Sequence, residues 1–482
     1  MLKKQLHWFR SDLRIHDNQA LAQALAAGPT VALYIAVPQQ WQAHADAPIK
    51  LDLWRRQLMA LEQSLKQMAV PLLFIEVPDY RQVPAVFAEL IDRLALERVF
   101  FNAEYPLNER TRDQAVRAAC QALGVIVSTC DDQVLLAPGR VLTQAAQPFK
   151  VFTPFARKAR EYLESAAPAV LRPRPGPAQS LALLPANLPI KGRCKLDDIG
   201  WPSPTPQQGQ IWQTLWPAGE ACAREALQRW CQQNIAAYRK TRDFPELAGT
   251  SGLSAYLACG AISIRECWMK AAAYQDGEGV ETWRNELLWR DFYKHILVHF
   301  PHVCRNKPWR QDLEHVRWRH DDDDYKRWCQ GETGFPLIDA AMRQLLDTGW
   351  MHNRLRMLSA MFFSKHLLLD WRLGERWFMQ HLVDGDFSAN NGGWQWSAST
   401  GTDAVPYFRL FNPLSQSRRF DPQGHFIRRF IPELAGLDDK AIHMPGPFKP
   451  STYPAPMLDL AFGRKRALAA FARPGHDPAQ EL

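Results

Sequence analysis

The sequence predicts an α/β doubly wound parallel-sheet N-terminal domain followed by an all-α C-terminal domain. Three observations carry this reading. Over the first 140 residues, short β-branched apolar runs alternate with longer stretches of helical period. Nine prolines then fall between Pro168 and Pro206, with little periodicity around them. From about residue 209 the strand signals stop and helical patterns succeed one another. The expected organisation is an α/β domain over 1–140, a connecting segment over 141–208 and a helical domain over 209–482.

The elements follow in order. QLHWFR (5–10) reads as the first strand, and its exit loop SDLRIHDN lacks the G-x-G-x-x-G of a dinucleotide site. DNQALAQALAAG reads as a helix capped by Asp17 or Asn18 and ended by Gly28. TVALYIAV (30–37), PLLFIEV (71–77), RVFF (98–101) and VIVST (125–129) have the apolar, β-branched character of buried strands. LDLWRRQLMALEQSLKQM between them repeats apolar residues every three or four positions. Strand and helix taking turns argues for a parallel, doubly wound sheet. Beyond the proline-rich stretch, ACAREALQRWCQQNIAAY, WRNELLWRDFYKHILVHF, FPLIDAAMRQLLDTGW and NRLRMLSAMFFSKHLLLDW read as helices.

Composition excludes several classes. The 482 residues are 46% hydrophobic and 22% charged, which is ordinary for a globular chain. The nine cysteines include no C-x-x-C pair, so spacing shows no zinc or cluster site, and their scatter fits a reducing cytosol. The N-terminus has no apolar core of a signal peptide, and no run reaches the length of a membrane span. A cytoplasmic protein with no membrane partner is expected. A formal net charge of +8 leans toward a polyanionic partner without requiring one.

Several stretches carry more specific chemistry. GTSGLS (249–254) sets hydroxyls and bare backbone before a helical run, a pattern that by itself more often marks a plain capping turn and that also suits a phosphate. In WRNELLWRDFYKH, Glu286, Trp289, Arg290 and Tyr293 share one helical face, either as a salt-bridged amphipathic surface or as a wall for a flat ligand. Asn353, Arg356 and Met357 share another face, where a carboxamide suits the edges of bases. Ten of the 18 tryptophans lie between Trp283 and Trp396, and most of them must be core. HDDDDYKRW (320–328) reads as a solvated acidic loop, and no metal site is expected. DGDFSANNGGWQWSASTGTD (384–403) is unlike either a core helix or a surface loop. It brings acids, carboxamides, glycines and two tryptophans into twenty residues.

Five of these motifs, in this order, resemble the photolyase/cryptochrome family: WFRSDLRIHDN (8–18), GTSGLSAYLACGAIS (249–263), NELLWRDFY (285–293), TGWMHNRLRM (348–357) and the 384–403 stretch. The likeness continues to PYFRLFNP (406–413) and is strongest to bacterial class I cyclobutane pyrimidine dimer photolyases. It implies FAD in the helical domain, active as the reduced anion. Excited by near-ultraviolet or blue light, the flavin passes an electron to a pyrimidine dimer flipped out of DNA, the ring opens, and the electron returns. Photolyases are themselves a standard example of base flipping. The implied partner is DNA carrying such dimers, single- or double-stranded, and the implied protein is a monomer. A cryptochrome-type photoreceptor, a (6-4) photolyase and a non-enzymatic flavoprotein are the alternatives. The first would be expected to carry a long regulatory tail and the second histidines in the dimer pocket.

The resemblance also assigns residues. Tyr238, Thr250, Ser251, Gly252, Leu253 and Ser254 match FAD phosphate contacts, and Trp283 matches a cofactor-pocket tryptophan. Asp384 is implied to pair with Arg356 beside the flavin, Asp384, Gly385 and Asp386 to line its site, and Asn390 to approach its reactive nitrogen. Trp394, Trp371 and Trp318 match an electron relay from inner to outer site. Glu286, Trp289, Asn353, Met357 and Trp396 match the dimer pocket, and Arg242, Arg290, Arg354 and Arg409 match positions near DNA. For the antenna chromophore, His44, Asn108, Glu109 and Cys304 match positions that hold 5,10-methenyltetrahydrofolate. Arg305 stands where close relatives have Lys, and a deazaflavin antenna stays open.

Overall fold

The computed structural model describes residues 3–274 and 277–472. They form two compact units. The first takes in Met1–Ala236, Ser251–Pro301 and Val383–Gly385, and the second Ala237–Thr250, His302–Leu382 and Asp386–Leu482.

The first unit is built on a six-stranded sheet: β1 (Lys4–Phe9), β2 (Thr30–Ala36), β3 (Leu72–Glu76), β4 (Leu96–Asn102), β5 (Ile126–Cys130) and β6 (Arg193–Cys194). Its order is β5-β4-β1-β2-β3-β6. The first five strands are parallel, joined by helices that cover both faces as βαβ crossovers require. One face packs Leu6, Trp8, Val31, Leu33 and Ile75 against Val86, Phe87 and Leu90 of the helix Val83–Leu94. The other packs Phe9, Ala32, Tyr34 and Phe74 against Leu21 and Leu25 of the helix Gln19–Ala27 and Leu58 and Leu61 of the helix Pro48–Gln67. Asn18 caps the first of these helices, its side chain accepting from the Leu21 N–H.

The strand order reverses at β1, where doubly wound folds place ligands. Here the exit of β1 is filled by side chains. The Asp12 carboxylate accepts from the Arg10 N–H at 2.7 Å and from Asn102 Nδ2 at 2.5 Å, and Asn102 also donates to Asn18.

The proline-rich stretch holds more structure than its composition suggested. Arg193 and Cys194 pair antiparallel with Ile75 and Phe74 and close the β3 edge as β6. Two residues are too few for any periodic signal. Five helices also belong to the first unit beyond residue 205, among them Glu220–Gln233 and the 22-residue Glu278–His299.

The second unit is helical. Its core gathers Trp328, Ile338, Leu355, Phe363, Trp371, Phe378 and Trp394. Two expectations are corrected here. Residues 322–330 are a helix rather than a solvated loop: Asp321 caps it through the Asp324 N–H, and Asp322, Asp323 and Asp324 occupy its first turn. Acids there complement the helix dipole, and Trp328 one turn on is fully buried. The single helix expected over 353–371 is broken. Asn353–Met361 is α-helical, Phe362–His366 forms one π turn, and a new helix starts at Trp371. Leu368 sits at φ +55° in the break. The side-chain hydroxyl of Ser364 donates back to Ala360 O at 2.7 Å, a local competitor to the regular ladder.

Candidate functional site

In the sheet-containing unit, three of the four residues matched to the antenna, His44, Asn108 and Glu109, come together. His44 ends the helix Pro38–Ala43, and Asn108 and Glu109 open the helix Leu107–Ala122. Asn108 Nδ2 lies 3.3 Å from His44 Nε2, and Glu109 Oε1 lies 3.6 Å from His44 Nδ1. The Tyr80 hydroxyl donates to Glu109 at 3.1 Å, and the Arg112 guanidinium covers the Tyr80 ring at 4.7 Å. Burial pushes the Glu109 carboxyl above its usual range, partly offset by the neighbouring His44. Tyr80 and Arg112 were not foreseen, because nothing in their local sequence marks them. Cys304 lies in the other unit, on the turn Pro301–Arg305.

The Ser251–Ser254 segment leads into the helix Ser254–Cys259. No side chain caps that helix, though the Leu253 N–H donates to Ser251 Oγ at 3.4 Å. Gly252 sits at φ +64° with nothing within 4 Å of where a Cβ would stand. Ser254, at the start of this helix, is exposed.

On the helix Glu278–His299, Trp283 is buried near Trp230, and Glu286 is partly buried. Trp289 stacks on Phe152, with ring centroids 3.7 Å apart and planes within 9°. Phe152 is a further residue that local sequence does not reveal. Arg290 donates to the carbonyls of Gln133 and Leu257, so its guanidinium ties neighbouring backbone together. Asp291, on another face, accepts from the Leu135 and Leu136 N–H groups, and desolvation pushes it up to about 7. Asp384 is buried, and Lys50 Nζ holds the Gly385 carbonyl at 2.8 Å while pairing with Asp46 at 2.6 Å.

In the helical unit, residues 386–403 account for much of the odd composition of that motif. Asp386 caps the helix Phe387–Ser397 by accepting from the Ala389 N–H at 3.1 Å. Asn390 Nδ2 donates to the Glu375 carbonyl and Asn391 Nδ2 to the Glu375 carboxylate, both at 2.9 Å. Gln395 donates to Asn391 at 2.9 Å and accepts from the Trp309 N–H at 2.7 Å. The carboxamides thus lock this helix to the helix Trp371–His381 and to the chain at 309. Glu375 is buried, and desolvation pushes its carboxyl up to about 7. At Gly393 nothing lies within 4 Å of an added Cβ, so that glycine leaves open space beside the helix.

Trp394 packs the benzo edge of its indole against Gly374, where a Cβ would meet Cη2 at 2.1 Å. It touches Phe378, Phe363 and Trp328 edge-on at 5.0–6.0 Å between centroids. Trp371 is fully buried in the same cluster, and Trp318 packs against it from a partly exposed position, 5.8 Å from Phe471. The indole N–H groups of Trp394 and Trp371 have no hydrogen-bond partner.

The other matched residues of this unit are placed as follows. Tyr238 is buried under Arg242, whose guanidinium lies 5.2 Å from the ring. Arg354 pairs with Asp243 at 2.8 Å and lies over Phe420. Asn353 is exposed at the start of its helix, and Arg356 Nε donates to Met351 O at 2.8 Å. Thr250, Met357 and Trp396 are partly buried, and Arg409 is exposed.

The chain is similar to several known proteins. Residues 5–175 match the family model described as DNA photolyase, and residues 283–473 match the FAD binding domain of DNA photolyase. The deoxyribodipyrimidine photo-lyase of Salmonella typhimurium is 43% identical over 480 residues, covering 97% of this chain and 98% of that one. The enzyme of the same name from Vibrio cholerae is 42% identical over 457 residues, covering 94% of each. The crystal structure of a bacterial class III photolyase from Agrobacterium tumefaciens superposes with a TM-score of 0.85 at 34% identity, covering 98% of this chain and 97% of that one. The chain belongs to the photolyase/cryptochrome family.

Proposed function

We propose that this chain is a light-driven DNA-repair lyase that splits pyrimidine dimers with FAD as its cofactor. The observation that carries the reading is the end-to-end match to deoxyribodipyrimidine photo-lyases, with the FAD-binding model spanning the segment that holds Trp283, Asn353, Asn390 and the tryptophan cluster.

Reduced FAD, when bound, supplies the light-excited electron that opens the dimer and takes it back. The residues present fit such a group. The exposed Ser254 at the helix start and the open space at Gly252 suit its phosphates, with Tyr238 and Thr250 as further contacts. Asp384, Gly385, Asp386 and Asn390 line the flavin in this reading, and the open space at Gly393 suits a ring lying close to backbone. Glu286, Asn353 and Met357 take the dimer, with Trp289 and Trp396 as flat surfaces for it. Arg242, Arg290, Arg354 and Arg409 lie near DNA. Arg409 is the most exposed of the four and the one best placed to meet a phosphate. Trp394, Trp371 and Trp318 carry electrons inward when the flavin must be reduced. The cluster of His44, Asn108 and Glu109 favours a methenyltetrahydrofolate antenna.

The test is repair in vitro. DNA oligonucleotides bearing one defined cyclobutane dimer or one (6-4) photoproduct are incubated with the reduced holoenzyme, in light and in darkness. Light-dependent loss of the cyclobutane dimer alone is expected. Loss of the (6-4) product alone would move the substrate, and loss of neither would leave the photoreceptor reading.

A further inference from the structure

We propose that Lys365 is a positioning residue for DNA binding: from the protein interior it holds the backbone of the 405–411 loop so that the loop presents Arg409 to a phosphate. This rests on the reading that Arg409 meets DNA.

The loop is held by its carbonyls. Lys365 Nζ lies 3.1 Å from Arg409 O and 3.5 Å from Pro406 O. The neighbouring His366 Nε2 lies 2.9 Å from Phe411 O, Arg464 donates to Phe408 O at 3.4 Å, and Ser399 Oγ donates to Val405 O. The Phe411 N–H is directed at Met361 Sδ at 3.1 Å. Five carbonyls of one short segment are therefore occupied from within, and the Arg409 N–H closes a turn onto Pro406 O at 2.9 Å. With the backbone fixed inward, the Arg409 side chain stands in solvent.

Lys365 itself is unusual. It is fully buried, and among the described residues no carboxylate lies within ion-pair distance of it. A buried cation without a counter-ion is costly, and a methionine would fill the space without that cost. The π turn Phe362–His366 carries both Lys365 and His366 to the loop, and such single turns are frequent at functional sites. The charged and titratable groups on the elements that meet this loop include His366 on the same turn, Arg464 and Arg466 from the helix Leu460–Phe471, and Tyr407 and Arg409 in the loop itself. Arg319, which donates to Leu367 O, is engaged with Asp321 and Asp324. The negative ends that Lys365 Nζ meets are the carbonyl oxygens of Pro406 and Arg409. Burial lowers this amine to about 7. Its grip on the loop is strongest when protonated and weakens as pH rises through that value.

The experiment measures binding of the holoenzyme to a DNA duplex, with and without a cyclobutane dimer, between pH 6 and pH 9. It compares wild type, Lys365→Met, Arg409→Ala and the double variant. Lys365→Met should keep its flavin, bind both duplexes about 3- to 10-fold more weakly at pH 6, as for one lost hydrogen-bonded contact, and lose the weakening that wild type shows above pH 7. Added to Arg409→Ala, it should cost little more. Lys365→Gln, which keeps a donor that does not titrate, should show pH-independent binding closer to wild type and serves if the methionine variant folds poorly. If Arg409→Ala weakens binding while both Lys365 variants match wild type at every pH, the positioning role is overturned. It is equally overturned if the losses at 365 and 409 add in full. If Arg409→Ala binds like wild type, the DNA contact at Arg409 fails first and takes this role with it.

Discussion

Gly374→Ala tests the contact on which Trp394, the proposed inner relay site, rests. The added Cβ would stand 2.1 Å from Trp394 Cη2, 2.6 Å from Cζ3 and 2.7 Å from Cζ2. An ordinary contact is 3.4 Å or more, so the indole edge must retreat by more than an ångström. It has nowhere soft to go, because Phe378, Phe363 and Trp328 surround it and the whole cluster is buried. Overpacking of this kind costs about 1–3 kcal/mol. Replacing a helical glycine by alanine returns up to about 1 kcal/mol of helix propensity. A net loss of about 1–2 kcal/mol is expected, and for a unit of this size each kcal/mol lowers the midpoint by about 2–4 °C. Thermal unfolding of the holoenzyme should therefore fall by a few degrees. Photoreduction of oxidised flavin with an external donor should slow, because the inner ring has moved. Trp394→Phe, with its smaller ring, should recover stability when combined with Gly374→Ala. An alanine variant as stable as wild type with undiminished photoreduction would refute the packing argument.

Trp318→Phe should stay folded, hold FAD and repair dimers once chemically reduced, yet photoreduce poorly when oxidised; wild-type photoreduction would remove Trp318 from the relay. Glu286→Ala should keep its flavin and lose repair or lesion affinity worth about 1–3 kcal/mol, and normal repair with normal flavin load would end that assignment. Glu375 carries the pH prediction. Burial raises its carboxyl from 4.5 to about 7, so its contribution to stability is full below pH 4.5 and is lost as pH rises through 7. Glu375→Gln, which keeps the acceptor for Asn391 without the charge, should gain on wild type between pH 5 and pH 8, by up to about 3 kcal/mol. Parallel stability profiles for the two proteins would contradict it.

What the sequence made legible depended on whether the determining contacts were local. The sheet was readable because a parallel strand is buried on both faces and so is written as a continuous apolar run, as β2 is from Thr30 to Ala36. The β6 strand was not, since its two residues owe their pairing to Phe74 and Ile75 more than a hundred positions away. The acidic run at 321–324 misled for a different reason. Charge suggested solvent, but at a helix start acids are the expected residues, and the apolar signal confirming the helix, Trp328, comes a turn later.

The candidate site divides along the same line. The motif singled out Asp386, Asn390 and Trp394, but its composition read as neither a core helix nor a surface loop; the structure makes it a helix, Phe387–Ser397, with Asp386 as its cap. The groups that orient them are distant in sequence: Glu375 for Asn391, Gly374 for Trp394, Lys50 for Gly385. Lys365 is the sharpest case. Within NRLRMLSAMFFSKHLLLDW it falls among apolar residues, where a lysine normally reaches for water. Nothing local says that the helix there widens into a π turn or that the carbonyls of residues 406 and 409 await its ammonium. A lysine that interrupts an apolar helical pattern should therefore be read as a request for a partner elsewhere in the chain. In this fold the partner is the backbone of the loop that carries an exposed arginine.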